Sequence, residues 1–319
     1  MRILSGIQPS GRLHIGNYFG MMRPAIELQD KGDAFYFVAN YHALTTVTDG
    51  ELLRQATLDV ALDFLACGLD PEKATFFRQS DVPEVTELAW LLSVVTPMGL
   101  LERCHSFKDK TARGVVSNHG LFAYPVLMAA DILAYQSNIV PVGKDQKQHV
   151  EVTRDIATKF NNLYGEIFVM PEPSIREAVA VVPGIDGKKM SKSYDNHLEM
   201  FGNEKELGKR VMRIVTDSTP MEDAKNPDEC TVFELFSLFA SNDEQEAMAG
   251  RYREGGYGYG SAKKLLLEKV GEFFEPMRKR REELEKNVDY VEEVLKKGAE
   301  AARMDARATL DRARTAVGL

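Results

Sequence analysis

The sequence predicts an α/β protein: a doubly wound parallel-sheet (Rossmann-like) domain followed by an all-helical C-terminal domain. Two observations lead to this fold class. Short apolar segments alternate with helical patterns through the first part of the chain. The strand signal then disappears after Asp195, and charged helical patterns continue to the C-terminus. Alternation of this kind favours a parallel sheet, because a chain returns to a parallel neighbour through a crossover helix.

Five apolar segments are predicted to form the strands of the sheet. They are residues 3–4, 35–38, 75–77, 139–142 and 178–182. These segments are short, rich in β-branched and aromatic residues or apolar throughout, and bordered by turn signals. Ligands of such sheets bind at the carboxyl ends of the strands, so functional residues are expected directly after these segments.

Helical spacing of apolar residues marks the intervals between the strands. It predicts helices at 17–30, 51–66 and 146–161, and later at 204–215, 232–240 and 244–253. The glycine-rich turn 255–260 then leads into long charged helices that run to Leu319. We therefore predict two domains, 1–195 and 196–319, with a helical insertion in the first near 84–136.

Composition limits the class of protein. With 319 residues, of which 44% are hydrophobic, the chain can bury one large and one smaller core. No stretch approaches the roughly 18 uncharged apolar residues of a membrane span, and the N-terminus lacks the order of a signal peptide. The cysteines Cys67, Cys104 and Cys230 are far apart, so neither a zinc site nor a disulfide framework is indicated. We expect a cytoplasmic protein with no membrane partner.

The net charge of −8 does not exclude a nucleic-acid partner, because folded proteins bind phosphates through local patches. Two basic clusters are candidates for such contact. One comprises Lys108, Lys110 and Arg113, and the other is the run at 278–281. Runs of this kind are more often solvated helix faces, and Glu282 and Glu283 partly cancel the second.

Residues 8–17, Gln-Pro-Ser-Gly-Arg-Leu-His-Ile-Gly-Asn, form the first functional motif. The motif follows the first strand and opens a helix, whose free N–H groups and positive dipole end suit a phosphate. His14 and Asn17 fall on one side of the first turn, where both can donate to one anion. Gly16 lacks a Cβ atom, so a flat ring such as adenine can press against the backbone.

Residues 188–193, Lys-Lys-Met-Ser-Lys-Ser, form the second motif. Lys189 and Lys192 lie in a donor-rich loop of small residues, which fits a mobile cover over departing pyrophosphate. Alone, His14 would be an ordinary surface histidine, and the lysines a solvated loop. Together the motifs indicate activation of a carboxylate by ATP, in which positioning and neutralisation of phosphate charge do the catalysis.

The two motifs resemble the HIGH and KMSKS signatures of class I aminoacyl-tRNA synthetases. Three further blocks, at 5–11, 128–133 and 140–149, are similar to those of the bacterial tryptophanyl-tRNA synthetases. The resemblance runs from residue 1 to the C-terminus and is strongest through Tyr194. It implies a tryptophan–tRNA ligase that uses ATP and Mg²⁺, works as a homodimer and charges the tRNA for tryptophan. Domain 1–195 would be catalytic and domain 196–319 would bind the anticodon.

The resemblance also implies how the nucleotide is held. His14, Asn17, Lys189 and Lys192 would be the catalytic residues. The remaining ATP-binding residues would be Gln8, Pro9, Ser10, Gly16, Gly143, Lys144, Asp145, Val182, Met190, Ser191 and Ser193. Magnesium would be held mainly by the ATP phosphates, with no metal site on the protein. Many relatives carry Thr in place of His14 and an acidic residue in place of Lys144, so no carboxylate role is carried over to Lys144.

Some of these residues have plainer explanations from the sequence alone. Gly143 allows close approach of a ribose, and Asp145 can accept from a sugar hydroxyl. A glycine at this place is equally consistent with a simple turn at the end of a strand. The apolar run 88–101 fits either a dimer interface or the core.

A helical face in the block at 128–133 is the candidate amino-acid pocket. Tyr124, Met128, Asp131 and Tyr135 follow the spacing i, i+4, i+7, i+11. Indole has one N–H donor and no acceptor, so a lone carboxylate suits it. By resemblance, Asp131 accepts the indole N–H, Met128 packs on the ring, and Tyr124 and Gln146 contact the α-amino group. The alternative is a salt bridge between Asp131 and a basic neighbour.

Two other functions fit parts of the pattern. A tyrosyl enzyme shares the architecture, but a phenol both donates and accepts, whereas Asp131 stands beside the apolar Met128 and Ile132. An accessory paralogue that senses tryptophan or a nucleotide without charging tRNA would have a damaged motif or no helical tail. Both motifs and a full-length tail are present here, which favours the ligase.

Overall fold

The computed structural model describes residues 1–9, 11–104, 118–143, 146–174 and 181–319. The chain forms two compact units whose segments interleave along the sequence. Unit 1 comprises Met1–Gly11, Ala25–Glu177 and Leu284–Leu319, and unit 2 comprises Arg12–Pro24 and Ala178–Glu283. Units defined by packing need not coincide with functional domains, so the division into domains 1–195 and 196–319 stays a prediction.

Unit 1 contains a parallel five-stranded sheet in the order β3-β2-β1-β4-β5. Its strands are β1 (Arg2–Ile7), β2 (Asp33–Val38), β3 (Ala74–Arg78), β4 (Ile139–Pro141) and β5 (Glu172–Ser174). The sheet grows outward from β1 in both directions, which confirms the doubly wound fold class. The C-terminal region is helical, as predicted.

The first four strands lie where the sequence predicts them, whereas the fifth does not. Val181 and Val182 are outside any strand, and the rest of the predicted segment 178–182 lies outside the described residues. The fifth strand is β5, which contains Pro173. Proline lacks the N–H that a central strand needs, so it argues against a strand in sequence, yet it is tolerated here because β5 lies at the edge.

Thirteen α-helical segments lie in the described part of the chain. They are α1 (Ile15–Asn17), α2 (Arg23–Ile26), α3 (Asn40–Ala43), α4 (Gly50–Ala66), α5 (Glu84–Ser93), α6 (Met98–Glu102), α7 (His119–Ala134), α8 (Lys147–Tyr164), α9 (Glu204–Met212), α10 (Thr231–Ser237), α11 (Asn242–Glu254), α12 (Tyr259–Glu285) and α13 (Val288–Val317). The helices predicted at 51–66 and 146–161 are therefore confirmed as α4 and α8. None of the described helices is both long and apolar enough to cross a membrane.

The helix predicted at 17–30 is wrong in its bounds and its regularity. The chain becomes helical at Ile15, passes through a π-helical turn at Tyr18–Met22 and ends its last helical turn at Ile26. Pro24 lies two residues after the end of the π-helical turn. Because proline has no N–H to donate and crowds the preceding turn, a regular α-helix is disfavoured at this point.

The last helix, α13, packs against the sheet of unit 1. A Cβ atom on Gly298 would lie 1.9 Å from the carbonyl oxygen of Phe76 in β3, so the two backbones are in close contact. Arg303 donates to both carboxylate oxygens of Glu84 on α5 at 2.9–3.2 Å. The core beneath joins apolar side chains of the strands to those of α5, α7, α8 and α13. The helix therefore covers the β3 edge of the sheet.

In unit 2 an aromatic cluster joins the first motif to the C-terminal helices. Tyr18 contacts Phe273 and Phe274 edge-to-face, with ring centroids 5.7 and 5.2 Å apart. Phe19 contacts Phe239 in the same manner at 5.3 Å. The segment that carries His14 and Asn17 is thus anchored on α12 and the end of α10.

Candidate active site

The carboxyl ends of the strands in unit 1 carry several of the predicted residues. Gln8 and Pro9 follow β1, and Gly143 follows β4. These two strands are neighbours at the point where the strand order reverses, which is the usual ligand position in such a sheet. Ser10, Lys144 and Asp145 lie outside the described residues.

Asp131, on α7, is buried with two polar partners that the sequence did not indicate. Its Oδ2 atom accepts from His42 Nε2 at 2.8 Å, and both of its oxygens lie 2.9 Å from Gln79 Nε2. His42 belongs to α3, beyond β2, and Gln79 directly follows β3. We call Asp131, His42 and Gln79 the Asp131 cluster. Asp131 thus has the basic neighbour that the alternative interpretation expected.

The orientation of the cluster is fixed by the backbone. Gln79 Oε1 accepts from the Tyr41 N–H at 3.0 Å, which leaves the amide nitrogen to face the carboxylate. An ionised carboxylate only accepts, and each oxygen has two lone pairs. Asp131 Oδ2 receives two hydrogen bonds within the cluster, whereas Oδ1 receives one. Oδ1 therefore retains acceptor capacity for one further donor.

The other residues of the predicted pocket divide into two groups. Tyr124 is partly buried and its hydroxyl lies 2.6 Å from His149 Nε2, while Met128 is partly buried against the core. Tyr135 is buried and stacks on Phe35, with ring centroids 5.3 Å apart, so it belongs to the core. Burial raises the pKa of Tyr135 well above its ordinary value.

Gln146 immediately precedes α8. Its backbone N–H donates to the carbonyl oxygen of Gly143 at 3.0 Å.

In unit 2, His14 and Asn17 cap the first helical turn reciprocally. His14 Nδ1 accepts from the Asn17 N–H at 3.2 Å, and Asn17 Oδ1 accepts from the His14 N–H at 3.1 Å. An imidazole that accepts at Nδ1 carries its proton on Nε2 when it is neutral. The cap therefore fixes the tautomer in which His14 can donate from Nε2.

Burial keeps His14 neutral. Its pKa is lowered to about 4, first by burial and then by the charges of Lys192 and His197. The His197 ring lies 5.9 Å from the His14 ring, and burial together with Arg210 lowers the pKa of His197 as well. Near pH 7, His14 is thus a neutral hydrogen-bond donor rather than a cation.

The two motifs meet within unit 2 although they are far apart in sequence. The Ile15 N–H donates to the carbonyl oxygen of Leu198 at 2.9 Å, and the Met200 N–H donates to the carbonyl oxygen of Leu13 at 3.2 Å. The Gly16 N–H points at the sulfur of buried Met190, 3.3 Å away. Met190 therefore links the second motif directly to the first.

We call residues 188–193 the lysine loop. Its first three residues form the second arm of a tight hairpin and pair with residues 182–184. The Met190 N–H donates to Val182 at 2.9 Å, and Pro183 pairs with Lys189 as an isolated bridge. Ser191 begins a 3₁₀ turn at Lys192–Tyr194 and accepts from the Ser193 N–H. Lys189 is exposed and forms no salt bridge with a described residue, whereas Lys192 is partly buried.

Three residues outside the lysine loop hold it in place, and the sequence interpretation missed them. Asn196 is 2% exposed and bonds to the loop backbone. Arg210 donates to Asp195 Oδ1 at 2.9 Å and to the carbonyl oxygen of His197 at 2.7 Å. Asp195 adopts a left-handed conformation with φ of 48°, which reverses the chain at this point. For Asp195 and Asn196 the position next to the motif was the only sequence signal, and Arg210 had none.

The basic run 278–281 is largely engaged within unit 2. Arg278 donates to the carbonyl oxygen of Gly202 at 3.2 Å, and Arg281 lies over the Phe201 ring at 5.7 Å. Lys279 and Arg280 pair with Glu275 and Glu283. These contacts favour the interpretation of the run as a solvated helix face with a structural role, rather than as a tRNA contact. Lys108, Lys110 and Arg113 lie outside the described residues.

No group of three or more His, Cys, Asp or Glu side chains suited to a metal ion occurs among the described residues. Cys67, Cys104 and Cys230 are free thiols.

Comparisons with known proteins show the family to which the chain belongs. The family model for class I tRNA synthetases (W and Y) matches residues 1–275. The chain is 57% identical over 319 residues to the tryptophan–tRNA ligase of Rhodopirellula baltica, covering 100% of both chains. It is 56% identical to that of Fusobacterium nucleatum, covering 100% of this chain and 98% of the relative.

A solved structure is similar over the whole chain. The tryptophanyl-tRNA synthetase of Campylobacter jejuni, complexed with ADP and tryptophan, has a TM-score of 0.96 at 51% identity and covers 100% of both chains. The fold is therefore that of a class I tRNA synthetase of the tryptophan and tyrosine group. Within that group, the chain belongs to the tryptophan–tRNA ligases.

Proposed function

We propose that the Asp131 cluster selects tryptophan and that the motifs of unit 2 act on ATP in the tryptophan–tRNA ligase reaction. The tryptophan carboxylate attacks the α-phosphorus of ATP, which gives tryptophanyl-adenylate and pyrophosphate. The tryptophan is then transferred to the 3′ end of its tRNA. No protein nucleophile is required, so the protein contributes positioning and charge neutralisation.

The observation that carries the pocket assignment is the acceptor capacity of buried Asp131. His42 and Gln79 supply its other hydrogen bonds, so one donor on the ligand completes the set. Indole supplies that donor and requires no partner in return. Met128 packs on the ring, and Tyr124 and Gln146 contact the α-amino group.

On the ATP side, His14 Nε2 and Asn17 are assigned as donors to the α-phosphate and nearby oxygens. Lys189 and Lys192 neutralise the leaving pyrophosphate, with Ser191, Ser193 and the backbone in support. The adenosine contacts are assigned to Gln8, Pro9, Ser10, Gly16, Gly143, Lys144, Asp145, Val182 and Met190. Exposed Lys189 and the fixed Nε2–H tautomer of His14 support these roles.

Magnesium belongs to this scheme as a partner of the nucleotide. It would be held mainly by the ATP phosphates and would supply positive charge against the negative charge that develops on their oxygens. We also infer a cytoplasmic location, because charged tRNA is consumed there in protein synthesis.

We further infer a homodimer that uses the exposed apolar surface around α5. Trp90, Val94 and Met98 are 68%, 62% and 63% exposed, which is unusual for such large apolar side chains close together. Trp90 is the one tryptophan of the chain, so its fluorescence reports on this surface. Dilution should shift the emission to longer wavelength as the dimer dissociates. An emission that does not change while sedimentation shows dissociation would place the interface elsewhere.

The decisive experiment is ATP–pyrophosphate exchange with each of the twenty amino acids, followed by aminoacylation of total tRNA. Exchange with tryptophan alone, followed by charging, is the expected result. Exchange without charging would indicate the accessory role instead. Exchange with tyrosine, or none with tryptophan, would overturn the assignment of Asp131 and Met128.

A further inference from the structure

Asn196 binds the lysine loop with every hydrogen-bonding atom of its amide. Its Oδ1 atom accepts from the Ser191 N–H at 2.7 Å. Its Nδ2 atom donates to the carbonyl oxygen of Lys189 at 3.1 Å and to Asp186 Oδ1 at 2.7 Å. A flipped amide would set its NH₂ group against an N–H and its oxygen against two acceptors. The partners therefore allow one orientation.

The Asn196 amide replaces a neighbouring strand. In an extended chain the carbonyl of one residue and the N–H two residues later point to the same side, where a parallel strand would bind both. On this side of the loop those two groups, from Lys189 and Ser191, are bound by Asn196. On the other side Met190 donates to Val182. The backbone groups of the residues directly before and after Met190 are thereby held by one buried side chain, Asn196.

We propose that Asn196 is the positioning residue of the lysine loop, an inference that rests on the ATP-activating function proposed above. Asn196 touches no reacting atom. By holding the backbone at Lys189 and Ser191, it sets where the Lys189 and Lys192 side chains begin. It also keeps the Met190 sulfur against the Gly16 N–H, which joins the loop to the first motif.

The surroundings of Asn196 are built around its amide. A Cβ atom on Gly184 would lie 2.4 Å from Asn196 Cγ, so a side chain at residue 184 would displace the amide. The Asn196 carbonyl oxygen also accepts from the Ile185 N–H at 2.9 Å. The hydrogen bond from Asn196 lowers the pKa of Asp186, which keeps that carboxylate ionised. Both strands of the hairpin thus depend on the same residue.

The test measures ATP–pyrophosphate exchange with tryptophan in Asn196→Ala and in the isosteric Asn196→Asp. Both variants should lower kcat by about 30–100-fold, because the lysines lose their fixed starting points. The KM for tryptophan should change by less than about twofold, since the Asp131 cluster is untouched. Asn196→Asp keeps the shape but sets a carboxylate against Asp186 and the Lys189 carbonyl.

Asn203→Ala is the matched control. Asn203 lies in the same unit and bonds two backbone N–H groups at the start of α9, away from the loop. It should leave kcat and both KM values within about twofold. If Asn196→Ala does not fold, Asn196→Asp alone, checked by its near-ultraviolet circular dichroism, decides the question.

A mutant cycle with the variant that lacks both loop lysines, Lys189→Ala/Lys192→Ala, separates positioning from general damage. If Asn196 acts through these lysines, Asn196→Ala should lower the residual exchange rate of that variant by less than about threefold. A second full 30–100-fold loss would overturn the proposal, as would a kcat of Asn196→Ala equal to that of Asn203→Ala. Absence of exchange in the unmutated enzyme would instead refute the proposed function.

Discussion

In the Asp131 cluster a single carboxylate is buried and held by His42 and Gln79, whereas in the lysine loop the backbone is held and Lys188 and Lys189 stand in solvent. The cluster fixes the charged atoms themselves. The loop fixes the points from which the exposed Lys188 and Lys189 side chains extend. Two regions that are assigned to one reaction thus treat their charges in opposite ways.

The difference follows from what each region must do. A buried acceptor with one remaining lone pair discriminates strongly, because a ligand without the matching donor leaves it unsatisfied. Lysines that neutralise a departing pyrophosphate gain nothing from early desolvation, which would cost free energy before the ligand arrives. Selection therefore uses a fully buried carboxylate, and charge neutralisation uses the exposed Lys189 and the partly buried Lys192 on a fixed backbone.

Removing a loop lysine should give the largest effect. Lys192→Ala should slow adenylate formation by about 100–1000-fold, because a charge that acts on the leaving group is lost. The dissociation constant for tryptophan should change by less than about twofold. Single-turnover kinetics and equilibrium dialysis measure the two quantities. Lys188→Ala removes the same charge from the same loop and should stay within about threefold of wild type. Equal losses of rate and tryptophan affinity in Lys192→Ala would contradict the assignment of the lysine loop to charge neutralisation and of the Asp131 cluster to tryptophan selection.

Changing the buried carboxylate should give a smaller loss of activity than removing Lys192. The loss should concern the use of tryptophan rather than the use of ATP. Asp131→Asn turns one acceptor into a donor that faces the amide of Gln79 and the indole N–H. We expect kcat/KM for tryptophan to fall by about 30–100-fold with the KM for ATP unchanged. The free energy of unfolding should also fall by about 1–3 kcal/mol, as measured by urea denaturation. A variant with full activity toward tryptophan would show that Asp131 serves only the salt bridge.

The smallest effect concerns His14, a buried and neutral group beside the exposed lysines. Its pKa is about 4 in the folded protein and near 6.5 when unfolded, so the unfolded chain binds one more proton between these values. Stability should therefore fall as the pH drops from 6.5 toward 4. His14→Asn keeps a capping acceptor but does not titrate. Between pH 7 and 5, wild type should lose about 1–2 kcal/mol more unfolding free energy than this variant. Equal losses in urea titrations would show that the fold does not lower the pKa of His14.

Local signals in the sequence predicted most of the fold and both motifs. Four strands and the helices α4 and α8 lie where composition and periodicity indicate. The errors in the predicted strands and helices occur near prolines. Pro173 argued against a strand where β5 lies, and Pro24 follows the π-helical turn that interrupts the predicted helix. In each case the local preference of proline competes with the surrounding packing, and sequence does not reveal which prevails.

The partners of the site residues were harder to predict because they are distant in sequence. His42 and Gln79 are 89 and 52 positions from Asp131, and only the sheet brings the ends of β2 and β3 to α7. Asn196 is five positions from Ser191, yet its role also escaped prediction. It acts on backbone atoms, which every residue has, so no residue type in the loop signals the contact.

The position of α13 has a consequence for the newly made chain. Strand β3 lies at an edge of the sheet, and the helix that covers it, with Gly298 against Phe76, comes much later in the chain. At usual rates of translation, roughly 10–40 s pass between the emergence of β3 and that of α13. During this interval the edge is open to pairing with another chain. The edge is therefore covered only after α13 has been made, and until then nascent chains of this protein have an exposed strand that chaperones can shield.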